Sequence, residues 1–157
     1  MTNLPKMDDI DRRILAELQI DARRSNKDLA LACGVSPSTM LHRMRSLEAD
    51  GVIRGYHADI APEALGRHVE ALVSVRLQPK TPAAVEEFMD SIWSLDETIA
   101  VTMLTGAYDV LVHVSVRDVK ALSETVLTAV ANAPHVSDEQ TSIVFEHRAK
   151  KVLGSLA

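Results

Sequence analysis

Between Gly34 and Ile53 the chain reads GVSPSTMLHRMRSLEADGVI; in it Ser36, Ser38 and Thr39 are followed at helical spacing by His42, Arg43 and Arg45, with Arg54 just beyond. These residue types suit the edge of a nucleic-acid duplex. Arginine and histidine can donate to guanine N7 and O6, and short hydroxyl side chains near a helix N-terminus permit close approach to phosphate. The spacing assigns Ser38, Thr39, His42 and Arg43 to base or groove contacts, and Ser36, Arg45 and Arg54 to phosphate. The competing reading is an ordinary amphipathic helix whose polar face only solvates the surface. Three features favour duplex binding: the Ser-Pro-Ser-Thr start, the absence of acid on that face until Glu48 and Asp50, and the nearby Arg23 and Arg24.

The formal net charge of -5 over 157 residues argues against a nucleic-acid partner only if the charge is evenly spread. It is not. Residues 1–60 hold nine Lys/Arg and nine Asp/Glu, whereas residues 61–157 hold eight and thirteen, so the acidity belongs to the second part. Within residues 22–57 the balance is six basic to three acidic, a local basic patch. The single cysteine, Cys33, excludes an intrachain disulfide framework and is expected to pack as a small apolar residue. The six histidines lack ligand spacing, so no metal is predicted. There is no apolar run long enough to span a bilayer, and the expected location is cytoplasmic.

The elements that must position these residues follow from periodicity and caps. Ile10, Ile14, Leu15 and Leu18 recur at helical spacing behind Asp8, Asp9 and Asp11, predicting a first helix to about Asp21. Ser25 caps a short second helix that ends at Gly34, and Ser36 with Pro37 starts a third that stops at Gly51. At about 100° per residue, Met40, Met44 and Leu47 share the inward side of that third helix. Three helices with a glycine turn before the last form a helix-turn-helix unit.

Beyond Gly51 the pattern alternates. VIRGYHADI (52–60) reads as a strand and APEALGR as a turn-rich connection, which gives a domain at 1–52, a strand and linker at 53–66, and a second domain at 67–157. There, strand 69–77, helix 81–95, strand 99–105, strand 108–116, helix 118–133 and strand 141–147 give the order βαββαβ. The fold class is therefore α+β, a helix-turn-helix domain joined to a ferredoxin-like antiparallel sheet with both helices on one face. The uncovered face, with Asp109, Leu111, His113 and Ser115, is too apolar to be wholly wetted and is expected to pack on a second copy. Trp93, at the edge of a helical stripe, is expected in the core or an interface.

The residues resemble the Lrp/AsnC, or feast/famine, transcriptional regulators. The likeness runs through MDDIDRRILAELQIDARRSNKDLA, GVSPSTMLHRMRSLEADGVIRGYHADI, ALG at 64–66 and TGAYDVLVHV at 105–114, nearly the whole chain. It implies an N-terminal domain that binds double-stranded DNA and a C-terminal domain that senses a small molecule. It also implies homodimers through the sheets, commonly assembled to tetramers or octamers, and an amino acid or related metabolite as effector at dimer interfaces near Gly106 to Asp109. No other cofactor is implied. NAPHV departs from the family's usual Pro-Gly-Val by placing His135 where glycine is common.

The candidate effector residues are Leu104, Thr105, Gly106, Tyr108 and Asp109. Glycine at 106 allows a ligand to approach backbone N–H groups, Tyr108 offers a ring and hydroxyl, and Asp109 would suit an α-ammonium. Alternatively Gly106-Ala107 is only a hairpin turn, Tyr108 a packing residue and Asp109 a turn acceptor. A catalytic pairing of Asp109 with His113 fails within one chain, because i and i+4 on a strand lie about 13 Å apart; no catalytic residue is predicted. A further alternative is an oligomeric sensing module acting on a protein partner rather than DNA.

Overall fold

The computed structural model describes residues 6–154, which fall into two units: the residues up to Ala58 together with those from Arg148, and Asp59–His147. The expected linker 53–66 is thus divided between the units at 58/59. Residues 148–154, expected in the second domain, group with the first unit.

The first unit holds α1 (Asp9–Ile20), α2 (Asn26–Cys33) and α3 (Pro37–Ala49). Each starts on a side-chain cap. Asp8 accepts from the Asp11 N–H, Ser25 from that of Asp28 and Ser36 from that of Thr39, satisfying donors that a helix start leaves open. Gly34 ends α2 in the left-handed conformation at φ 72°, and its position allows α3 to leave at a new angle. Ile14, Leu18, Leu29, Ala30, Cys33, Met40 and Leu47 form the core, with Met44 packed at its edge. Cys33 is buried, as expected of a small apolar residue.

Residues 52–60 do not form the strand that their alternation predicts. Gly51 and Gly55 take positive φ values of 69° and 152°, residues 54–60 are exposed, and among the described residues no strand pairs with them. The Gln19 side-chain amide instead ties the returning chain to α1: it accepts from the Leu153 N–H at 2.7 Å and donates to the Leu153 carbonyl at 3.2 Å.

In the second unit a 3-10 turn at Pro62–Leu65 precedes β1 (Val69–Leu77), α4 (Pro82–Trp93), β2 (Thr98–Met103), β3 (Val110–Val116), α5 (Val119–Thr125) and β4 (Val136–Val144). The antiparallel sheet has the order β2-β3-β1-β4, which is the predicted ferredoxin-like topology. Alternation places Ala71, Val73, Val75 and Leu77 of β1 beside Val110, Val112, Val114 and Val116 of β3, beneath Phe88, Ile92, Leu122, Val126 and Val130. The helix predicted over 118–133 is α5 followed by one wider π turn, Val126–Val130. β4 begins five residues earlier than expected: its polar residues Ser137 to Gln140 carry no hydrophobic pattern and are set in the sheet by the β1 backbone.

Candidate nucleic-acid interface and effector loop

The helix-turn-helix is held together by polar ties as well as by its core. Asn26 Nδ2 donates to the Pro37 carbonyl at 2.9 Å, fixing the start of α3 to α2. At the same place Ser36 Oγ lies 2.9 Å from Ser38 Oγ and 2.8 Å from Thr39 Oγ1, so the three hydroxyls form one cluster at the positive end of the helix. Ser38, Thr39, His42 and Arg45 are all exposed on the outer side of α3, while Met40 and Leu47 are buried. Ser38, Thr39, His42, Arg43 and Ser46 line an open cleft of about 650 Å³ along that side, with Asp11 also at its wall.

Arg43 departs from its expected place. Its side chain is only 26% exposed, and Nη1 donates to Asp8 Oδ2 at 2.8 Å and to Asp11 Oδ1 at 2.7 Å at the start of α1. The guanidinium expected at the groove is thus paired with two acids of its own unit at the wall of the cleft. Asp8 and Asp11 were legible only as acids favoured by the helix dipole, since nothing in the sequence brings residues 32 apart together. The Asp11 backbone N–H, aided by Arg43, holds the Asp8 carboxyl below its ordinary range, and both carboxylates push the Arg43 guanidinium up. Arg54 is exposed beyond α3. Beside it Tyr56 donates to Glu48 Oε1 at 2.9 Å; burial, and then the Glu48 carboxylate, raise its phenol to about 12.

In the second unit the Leu104 N–H donates to the Asp109 carbonyl at 2.7 Å, closing a loop over residues 105–108. Thr105 and Gly106 are exposed, and Gly106 has φ 130°, a backbone conformation that side-chain-bearing residues rarely adopt. Tyr108 is half-buried: its hydroxyl donates to Gln140 Oε1 at 3.1 Å and its ring lies 5.3 Å beneath the Arg76 guanidinium. Arg76 Nε also donates to the Ala107 carbonyl at 2.9 Å. Arg76 and Gln140 thus order the loop, and strand register alone brings them there.

Asp109, expected to meet an α-ammonium, already has partners within the chain. Its side chain is 6% exposed, with Oδ1 2.5 Å from Lys80 Nζ and Oδ2 accepting from the Leu77 N–H at 2.9 Å. The Lys80 ammonium and then the Leu77 N–H hold the carboxyl below its ordinary range. Asp109 fixes the loop base to β1. His135 has φ 69°, the left-handed region, which accounts for glycine suiting this position; its carbonyl accepts from the Gln78 N–H at 2.7 Å. Trp93 is 64% exposed at the end of α4 and does not join the core.

The uncovered sheet face carries Leu72 and Leu111, half-buried, around a His113–Glu70 pair with Nε2 and Oε2 3.1 Å apart. Ser115 Oγ on the same strand is buried without a partner. Among the described residues there is no cluster of three or more His, Cys, Asp or Glu that could hold a metal, and no helix is long and apolar enough to cross a membrane.

A capped recognition helix in one unit and a helix-backed sheet with a built loop in the other define a two-domain DNA-binding regulator. Comparison with known proteins gives its family. Residues 7–54 match the winged helix-turn-helix DNA-binding model and residues 70–152 the Lrp/AsnC ligand binding domain. The chain belongs to the Lrp/AsnC family of transcriptional regulators. It is 40% identical over 141 residues to the HTH-type transcriptional regulator AldR of Mycolicibacterium smegmatis, covering 90% of this chain and 82% of that protein. To the leucine-responsive regulatory protein of Escherichia coli K12 it is 34% identical over 140 residues, covering 89% and 85%. A Neisseria meningitidis transcriptional regulator solved as its L-Met complex superposes with TM-score 0.85 at 31% identity, covering 92% and 94% of the two chains.

Proposed function

We propose that this regulator reads a DNA major groove with Ser38, Thr39 and His42, sets Ser36, Arg45 and Arg54 on phosphate, and responds to an amino acid or related metabolite held at the 105–108 loop. The observation that carries the DNA assignment is the outer side of α3. There the hydroxyls of the helix start and the exposed His42 imidazole face an open cleft, the Arg45 guanidinium is exposed on the same helix, and Met40 and Leu47 point inward. An amino-acid effector is supported by the L-Met complex of the Neisseria relative and by the ordered, glycine-containing loop. With Asp109 already saturated, the loop's exposed backbone N–H groups and Thr105 are what it offers a ligand carboxylate.

The protein acts as a homodimer in the cytoplasm, paired through the uncovered sheet face and assembling further to tetramers or octamers. The half-buried Leu72 and Leu111 support this pairing, because they gain burial only against another surface. Leu111→Lys should convert the dimer to monomer in sedimentation. The effector biases how dimers associate, and with that which recognition helices engage DNA together. A thermal-shift screen of free amino acids followed by sedimentation tests the coupling. One ligand should raise the melting temperature and change the oligomer distribution; no shift with any of them refutes an amino-acid effector.

A further inference from the structure

We propose that Arg43 is a positioning residue for the recognition helix, not one of its DNA contacts, a role that rests on the reading of α3 as the element that enters the groove. The capping box of α1 uses one oxygen of each of its two acids. Asp8 Oδ1 accepts from the Asp11 N–H at 2.9 Å, and Asp11 Oδ2 accepts from the Asp8 N–H at 3.1 Å. The remaining oxygens, Asp8 Oδ2 and Asp11 Oδ1, both receive Arg43 Nη1. The cap that starts α1 is therefore also the anchor of α3, and each of the four carboxylate oxygens has a partner.

Electrostatics separates this role from phosphate binding. The three side chains together carry one net negative charge, so a phosphate brought to Arg43 would meet two carboxylates beside one guanidinium. Geometry gives the anchor its effect. Arg43 follows His42 directly and lies one helical turn from Thr39 and Ser46, so the roll of α3 that aims those side chains is fixed at this point. Asn26 holds the start of α3 through the Pro37 carbonyl and Tyr56 meets Glu48 near its end, so Arg43 is the tie that joins the middle of the helix to α1.

Asp11→Asn decides between the two roles by its sign. The amide keeps an acceptor for the Asp8 N–H but loses the charge that holds Arg43. If Arg43 is a phosphate contact competing with Asp11, removing a negative charge beside DNA strengthens binding. If Arg43 positions α3, the same substitution weakens it. The probe is a duplex enriched from a random library by the wild-type protein, titrated at several salt concentrations.

Asp11→Asn and Arg43→Gln are each expected to weaken binding about tenfold, and the double variant to be no worse than either single one. The slope of log K against log salt should stay that of wild type. A slope lower by about 0.9 in Arg43→Gln, the value of one phosphate contact, overturns the proposal. So does Asp11→Asn binding as well as or better than wild type, a result that stands even if Arg43→Gln fails to fold. If the wild-type protein enriches no duplex, the reading of α3 itself fails; if it does and Asp11→Asn binds more tightly, only the role of Arg43 fails.

Discussion

Asp109→Ala removes the buried acceptor at the base of the 105–108 loop, and the structure divides its cost into two parts. The Leu77 N–H, on a residue 3% exposed, loses its 2.9 Å partner with no access to water. An orphaned buried donor costs about 1–3 kcal/mol. The pair with Lys80 contributes less, about 0–1 kcal/mol, because the Lys80 side chain is 53% exposed and water screens its charge. The expected loss is about 1–4 kcal/mol for alanine. Asparagine keeps a carbonyl oxygen for the Leu77 N–H and forfeits mainly the Lys80 pair, so Asp109→Asn should lose about 1 kcal/mol. Urea unfolding measures both, and amide hydrogen exchange at Leu77 locates the effect. Equal destabilisation by the two variants, or unchanged Leu77 protection in the alanine variant, would refute the assignment of Asp109 as a backbone anchor.

Three further outcomes follow from the same chemistry. Asp8, Asp109 and Asp118 are all held below the ordinary carboxylate range, chiefly by the Asp11 N–H, by Lys80 and by the Ala121 N–H. A depressed folded pKa contributes stability that is complete above the unfolded value of about 4 and is lost as pH falls through the folded value. The contribution of these three groups should thus be level from pH 7 to 5, and the melting temperature should fall below about pH 4 less steeply once Asp109 is replaced by Asn. His135→Gly removes a side chain from the left-handed region, relieving about 1 kcal/mol; the greater freedom of glycine in the unfolded chain offsets part of this. A net gain of about 0.5 kcal/mol should appear as a higher urea midpoint, and a loss would contradict the strain argument. Cys33 is buried and burial pushes its thiol up, so a thiol reagent should modify it only after denaturant is added.

Local rules reached most of this architecture. Ser25, Ser36 and Thr81 are helix caps at their predicted positions, Pro37 and Pro82 occupy first turns, and the valines of β1 and β3 alternate into one core. Where reading failed, the deciding interaction lay far away in the chain. VIRGYHADI has the alternation of a strand but pairs with no strand among the described residues, whereas Ser137 to Gln140 lack that pattern and are strand because β1 lies alongside. At the sites, the exposed Ser38, Thr39 and His42 were legible because a helix face is a local property. Arg43 and Asp109 were not: their partners Asp11 and Lys80 are brought to them only by helix packing and by sheet register. Both residues looked available as charges because their neutralising partners were invisible.

The central claim, that the outer side of α3 selects DNA bases, is tested most directly by enriching duplexes from a random library with wild-type protein and with Ser38→Ala and His42→Ala. The account predicts that wild type enriches a two-fold symmetric site and that each variant relaxes preference at particular positions of the half-site while half-site spacing is kept. An identical base preference in all three proteins, or no enriched sequence with wild type, would contradict it.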